Sequence, residues 1–231
     1  MSTTHKKTTF LLLSHPLETT TPIFGVNPPN VFKRMESIEK GDNCNSSLIT
    51  LFNHNGTHVD APRHFDKDGK RIVDYGIEDL VFSKPRLIQI PKKEKEGIGI
   101  RDMLENESDI QGCDLLLIRT GFHRKRDKRS YVESNPWIDN EAATFLRQLS
   151  NLRAIGIDTI SISSFSHLDI GEESHRILLA GGSVPSEPKL IIEDMNLPAE
   201  LETMKRVFVI PLFISEADSA PCTVFAEVEG E

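Results

Sequence analysis

The chain is poor in cysteine, has no surplus of basic residues and contains no long apolar run, and each shortage removes a class of protein. Cys44, Cys113 and Cys222 are odd in number, far apart and outside any C-x-x-C pair. That argues against a disulfide framework and a thiolate zinc site, and it fits a reducing cytoplasm. Lys and Arg number 27 against 35 Asp and Glu, a formal net charge of -8. Proteins that hold phosphate backbones carry a basic excess, so nucleic acid and anionic membranes are not expected partners and a small molecule is. The early apolar run from Phe10 to Leu13 is four residues long; it is too short for a signal core or a membrane span and reads as a first strand. There is no G-x-S-x-G elbow of the kind a serine hydrolase needs, no internal repeat and no low-complexity linker. With 231 residues, 38% hydrophobic and 27% charged, the chain is expected to form one globular domain over 1–231.

What is present is a set of short strands and two helices. "HPLETTTPIFGVNPPN" places four prolines within residues 15–30 and reads as an irregular loop. "SSLITLFNH", "KPRLIQIPK", "CDLLLIRTG", "AIGIDTISI", "RVFVIPLFI" and "CTVFAEV" have the β-branched and aromatic content of strands. Ala142, Phe145, Leu146 and Leu149 recur at i, i+3, i+4 and i+7 behind a capping Asp139 or Asn140, the pattern of one helical face. A second helix is expected from about Glu172 to Ala180, stopped by Gly181 and Gly182. Strands outnumber helices and their spacing is irregular, so the class is α/β or α+β rather than a regular doubly wound sheet.

The densest chemistry lies in "HNGTHVDAPRH", where three of the eight histidines and an aspartate fall within residues 54–64. The four-residue step from His54 to His58 is that of a helical zinc motif, but Gly56, Thr57, Val59 and Pro62 oppose a helix. In a straight strand the two rings would stand roughly 13 Å apart at ~3.3 Å per residue, too far to share one ion. A turn at Asn55-Gly56 removes that obstacle, because glycine accepts positive φ. His54, His58 and Asp60 can then converge as a ligand set suited to zinc or manganese, with positions left open for water and substrate. The plainer alternative is a solvated turn of hydrogen-bonded histidines. His64, beyond Pro62, is placed as a free imidazole that takes and returns a proton.

With "LSHPLETTTPIFG", "GDNCNSSLITLFNHNGTHVDAPRHF", "IGIDTISISS", "GEESHRILL", "IIEDMNL" and "IPLFISEADSAPCTVFA" in this order, nearly the whole chain resembles the cyclase family of metal-dependent hydrolases, which includes bacterial kynurenine formamidase and isatin hydrolase. The resemblance implies a single α/β domain of the swivelling β/β/α type, a mixed sheet or barrel-like β core with flanking helices. It implies metal ligands at His54, His58, Asp60, His175 and Glu193, and His64 as the catalytic base. The ions would be one or two, zinc or manganese. Glu187 rivals Glu193 on spacing, but Glu193 follows the apolar "LII", which suits the edge of a buried strand, whereas Glu187 sits between Ser and Pro.

The resemblance further implies cleavage of a C–N bond in a small aromatic or cyclic amide, with a non-catalytic metal-binding scaffold as the alternative. Phe24 and Phe32, together with the late "ADSAP" loop, become candidate walls of the substrate pocket. The expected assembly is a homodimer or homotetramer. His123 and His167 have no such support and are expected at the surface, and the basic run "RTGFHRKRDKR" is expected to be a solvated loop.

Overall fold

Leu115, Leu116, Leu117 and Ile118 are all fully buried, which a strand achieves only when both of its faces are covered. The computed structural model, which describes residues 8–181, 186–199, 201 and 203–229, shows two different coverings. Leu115 and Leu117 join Val59, Phe82, Ile192, Val209 and Val224 in one core. Leu116 and Ile118 join Ile155, Ile157, Ala142, Leu146 and Leu178 in another. The first draws on strands from across the sheet and fills its inside; the second lies between sheet and helices.

In chain order the strands are β1 (Thr8–Leu12), β2 (Val31–Glu36), β3 (Ser46–Thr50), β4 (His58–Asp60), β5 (Val81–Phe82), β6 (Pro85–Gln89) and β7 (Gly97–Ile98). They continue with β8 (Leu115–Arg119), β9 (Trp137–Ile138), β10 (Ala154–Ile157), β11 (Leu190–Glu193), β12 (Met204–Pro211) and β13 (Ser219–Glu229). The helices are α1 (Ile100–Glu105), α2 (Glu107–Ile110), α3 (Ser130–Glu133), α4 (Asn140–Gln148) and α5 (Leu168–Leu179). One sheet of nine strands runs β5-β12-β13-β4-β11-β10-β8-β6, with β1 paired to β13. β6, β8, β10 and β11 are mutually parallel, and the other neighbours are antiparallel. The end strands β5 and β6 are separated in sequence only by Ser83 and Lys84, so the sheet curls nearly into a barrel. Asp114 holds that junction by accepting the Ser83 and Lys84 backbone N–H groups at 2.8 and 2.9 Å. The fold is therefore α/β with a mixed, barrel-like sheet and flanking helices, as the sequence implied.

Particular elements differ from expectation. β3 does not enter the sheet; it pairs only with β2, as a separate hairpin. β10 ends at Ile157, so the rest of "AIGIDTISI" is irregular. α4 begins at Asn140 with Asp139 as its cap residue, but that side chain accepts the Trp137 indole N–H at 2.6 Å instead of capping the helix.

α5 begins at Leu168, four residues before the expected start, and ends at Leu179 ahead of Gly181; Gly182 lies outside the described residues. Gly171, inside this helix, permits close approach. An added Cβ would sit 2.7 Å from the Cα of Ser163, so α5 can lie against the loop after β10 only with glycine at that position. Arg147 of α4 closes the other end of α5 by donating to the carbonyls of Ile177 and Leu178 at 3.2 and 2.7 Å. None of the helices among the described residues is long and apolar enough to cross a membrane.

Gly171→Ala should lower stability by about 1–3 kcal/mol, the usual cost of forcing atoms into a packed contact. Urea unfolding measures it, and wild-type stability would show that α5 is free to back away from Ser163.

Candidate metal centre

The turn demanded by the histidine spacing is present. Gly56 has φ +75°, in the left-handed region. The Asn55 side chain donates to the Pro28 carbonyl at 2.8 Å and so ties the turn to the proline-rich loop. Thr57 donates its hydroxyl to the Asp194 carbonyl at 2.5 Å and accepts the His15 backbone N–H at 2.9 Å. The chain then enters β4, where strand alternation gives His58 and Asp60 one face and Val59 the other, in the inner core. β4 is flanked by β11, with Glu193 directly opposite His58, and by β13, with Ser219 opposite Asp60. Register thus places Glu193 beside His58 and Asp218 beside Asp60, and α5 carries His175 to the same point. Exposures of 2% for His58, 1% for Asp60, 5% for His175 and 4% for Glu193 put this polar set in the interior.

His54 Nδ1 lies 3.0 Å from Asp60 Oδ1. His58 Nε2 is 3.5 Å from Asp60 Oδ1 and 3.5 Å from Glu193 Oε2. His175 Nε2 is 3.4 Å from Glu193 Oε1. Despite this crowding, both Asp60 oxygens are buried without a hydrogen-bond partner. The far sides of the rings explain it. His58 Nδ1 is 2.8 Å from the Gly56 carbonyl and His175 Nδ1 is 2.8 Å from the Gly171 carbonyl. A carbonyl only accepts, so each Nδ1 carries the hydrogen and the neutral ring turns a bare Nε2 inward. His54 is reversed: its Nε2 donates to Asp218 Oδ2 at 3.2 Å, which leaves Nδ1 bare toward Asp60.

Buried lone pairs facing one another are satisfied by a cation or, without one, by protons. The sets His54/His58/Asp60 and Asp60/His175/Glu193 each bring ligand atoms within 4.8 Å of one another and share Asp60. The residues present therefore fit a divalent ion.

Glu193 is held from behind as well. Its Oε1 accepts the Ile162 backbone N–H at 2.7 Å and the Ser161 hydroxyl at 3.0 Å. The next residue, Asp194, sits at φ +51° and is clamped by Arg126 at 2.6–3.1 Å and by the Tyr131 hydroxyl at 2.6 Å.

His64 stands apart from the ligand sets sharing Asp60. Its Nδ1 donates to Asp218 Oδ2 at 2.7 Å, and its ring centre is 4.1 Å from that of His54. One carboxylate oxygen thus takes hydrogens from two imidazoles, while Asn53 donates to the other oxygen at 2.8 Å. His54, His64 and Asp218 are also close enough to hold an ion, but their short contacts are hydrogen bonds, so they form an orienting group. With Nδ1 engaged by Asp218, Nε2 is the His64 nitrogen left for another partner.

Burial by itself would push the His54 imidazole down, but Asp60 and Asp218 outweigh it and raise the group to about 10. Burial pushes Glu193 up, and His175 and His58 overcome it and hold the carboxyl down at about 2. Asp60 is held well below the usual carboxylate range by His58 and His54 against the same burial. In the absence of a cation, protons on the imidazoles are what balance the carboxylates.

The centre opens into a cavity of about 250 Å³ lined by Phe24, Phe52, Phe65, Ile160 and Leu168. Of the two phenylalanines expected there, Phe24 lines it and Phe32 does not; Phe32 lies on the β2–β3 hairpin with 39% of its surface exposed. Glu187 lines a different cavity, beside Tyr75 and Arg153. The sequence reading placed the 217–221 loop at the pocket wall without giving Asp218 a role, since nothing local marks a carboxylate 154 residues from its histidine. Two further expectations are corrected. His123 is tucked against the buried Asp158 at 2.7 Å, and His167 stacks on Trp137 with ring centres 4.0 Å apart. The basic run that contains His123 is largely paired with acidic residues: Arg126 with Asp194, Lys125 with Glu94 and Arg129 with Glu133.

A family model described as "Putative cyclase" matches residues 11–164. A kynurenine formamidase from Bacillus cytotoxicus is 26% identical over 216 residues, 94% of this chain and 96% of that protein. Isatin hydrolase A from Labrenzia aggregata superposes with a TM-score of 0.81 at 21% identity, over 96% of this chain and 94% of that one. A structure described as a "predicted metal-dependent hydrolase" from Bacillus stearothermophilus gives 0.73 at 22%, over 96% and 98%.

At pH 7 the metal-free centre holds protons that an ion must displace, so zinc or manganese loading should release on the order of one proton per ion. Because the His54 imidazole is raised to about 10, metal affinity should climb with pH from 6 toward that value, as a weakly buffered indicator titration would record. The same raised group stabilises the metal-free fold fully below about 6.5 and progressively less as pH rises through about 10. Melting temperature across that window should therefore fall for the metal-free protein and hold for the loaded one.

Proposed function

Because this chain belongs to the cyclase family, we propose that it is a metal-dependent hydrolase that cleaves the C–N bond of a small aromatic or cyclic amide, in the manner of an arylformamidase. The observation that carries this reading is the buried Asp60 carboxylate, unpartnered and ringed by bare imidazole nitrogens and Glu193. His54, His58, Asp60, His175 and Glu193 are the proposed ligands, for one or two ions with Asp60 shared. An all-nitrogen-and-oxygen set suits zinc or manganese. The names of the relatives, kynurenine formamidase and isatin hydrolase, support an amide next to an aromatic ring.

A divalent ion held there supplies Lewis-acid polarisation of a carbonyl and lowers the pKa of an adjacent water from ~15.7 toward ~7. The protein's own groups do the rest. Asp218 fixes the tautomer of His64, so its bare Nε2 can take the proton of the attacking water and return it to the departing nitrogen. The aromatic lining positions the ring and excludes bulk water. A metal-binding scaffold would have no use for an oriented imidazole that stands outside the ligand set.

An oligomer, most simply a two-fold homodimer, is supported by the β2–β3 hairpin. It exposes Val31, Phe32, Leu48 and Ile49 by 39–56% without packing into the sheet. Phe32 would then reach a pocket wall only by way of a neighbouring copy. A cytoplasmic setting is supported by the free Cys44, Cys113 and Cys222.

Zinc- and manganese-loaded protein should turn over N-formylkynurenine, isatin or a simple cyclic amide; full metal occupancy with no turnover of any of them would refute the enzyme. His64→Ala should lose about 10²–10⁴ in turnover and keep its metal by mass spectrometry, whereas His58→Ala should lose the metal. Phe32→Asp with Ile49→Asp should convert the oligomer to monomer in sedimentation velocity.

A further inference from the structure

The cavity beyond the candidate centre has a one-sided charge. Its lining contains Asp60, Glu193 and Glu172 but neither lysine nor arginine. Asp60 and Glu193 are committed to the ligand set, where a divalent ion would balance them. Glu172 is not. It lies on α5 three residues before His175, and so on the same side of the helix. Its carboxylate makes no hydrogen bond or ion pair with another described residue. Its neighbour Glu173 is paired, to Arg176 at 2.8 Å. Arg176 stands 5.7 Å from the Phe65 ring and does not line the cavity. The same cavity is walled by Phe24, Phe52 and Phe65, and Glu172 itself is exposed to solvent.

We infer that Glu172 selects substrates by charge: the pocket takes aromatic amides that carry a cationic amine in preference to neutral ones, and disfavours those whose only charged group is a carboxylate. This rests on the hydrolase reading above and adds the substrate class. A carboxylate entering the cavity meets no fixed cation except an ion in the centre. It therefore seeks that ion and displaces the amide that should sit there, binding in a way that blocks turnover. An ammonium group has the opposite tendency: it stays at the rim with Glu172 and leaves the amide facing His64.

The test uses three formanilides differing only at the para position, aminomethyl, methyl and carboxylate, with the metal-loaded protein. The expected order of kcat/KM is aminomethyl, methyl, carboxylate, with about fivefold between neighbours, the scale of a solvent-accessible charge pair. In Glu172→Gln the aminomethyl-to-methyl ratio should fall to within about twofold. The corresponding anilines, which cannot react, should bind in the same order by calorimetry. If no formanilide is hydrolysed while the amine-bearing aniline still binds best and Glu172→Gln abolishes that preference, the hydrolase reading fails and the charge selection stands. Equal binding of the three anilines, binding of none, or a preference that survives Glu172→Gln overturns the inference.

Discussion

A carboxylate without a partner in the middle of a sheet is the constraint around which this molecule is arranged. Asp60 is 1% exposed and neither oxygen accepts a hydrogen bond, a condition costing several kcal/mol if nothing answers it. The answer is assembled from distant parts of the chain. A glycine turn folds His54 back, strand alternation supplies His58, a neighbouring strand supplies Glu193 and a helix supplies His175. Each ligating atom is then aimed by a contact behind it: Gly56 and Gly171 carbonyls for two imidazoles, Asp218 for the third, and Ser161 with the Ile162 amide for Glu193.

The contacts behind the centre are as informative as the centre itself. Arg126 was conspicuous in the sequence only as part of a basic run. In the fold it turns inward and, with Tyr131, grips Asp194, the residue after Glu193, in a left-handed backbone conformation that a non-glycine residue adopts only under constraint. Arg126 thus braces the acidic strand end, while Lys125, Lys128 and Arg129 of the same run stay at the surface.

How much was legible in the sequence follows from how local each signal is. His54, His58, Asp60 and His64 lie within eleven residues, and the turn that joins them was readable from Gly56. The barrel-like sheet was implied by the resemblance alone, while the buried strands announced themselves by composition. Glu193 could be preferred over Glu187 because a carboxylate ending an apolar run has a place at a strand edge. Asp218, Asn53 and Glu172 were not legible, because their roles depend on sheet register and on which side of α5 faces the cavity. Gly171 was not legible either, because its role depends on the close approach to Ser163 that only the fold brings about. His123 and His167 were assigned to the surface for want of a motif, and tertiary partners drew both inward.

The central position of β4 has one more consequence. It is three residues long and gains its place only from β11 on one side and β13 on the other, strands that lie more than a hundred residues downstream. During synthesis the first three proposed ligands leave the ribosome early, but the strands that would fix their spacing are among the last to emerge. The proposed ion capture therefore waits for β13, and a truncated product ending before it would carry the histidine motif intact and still lack the frame that makes it a site.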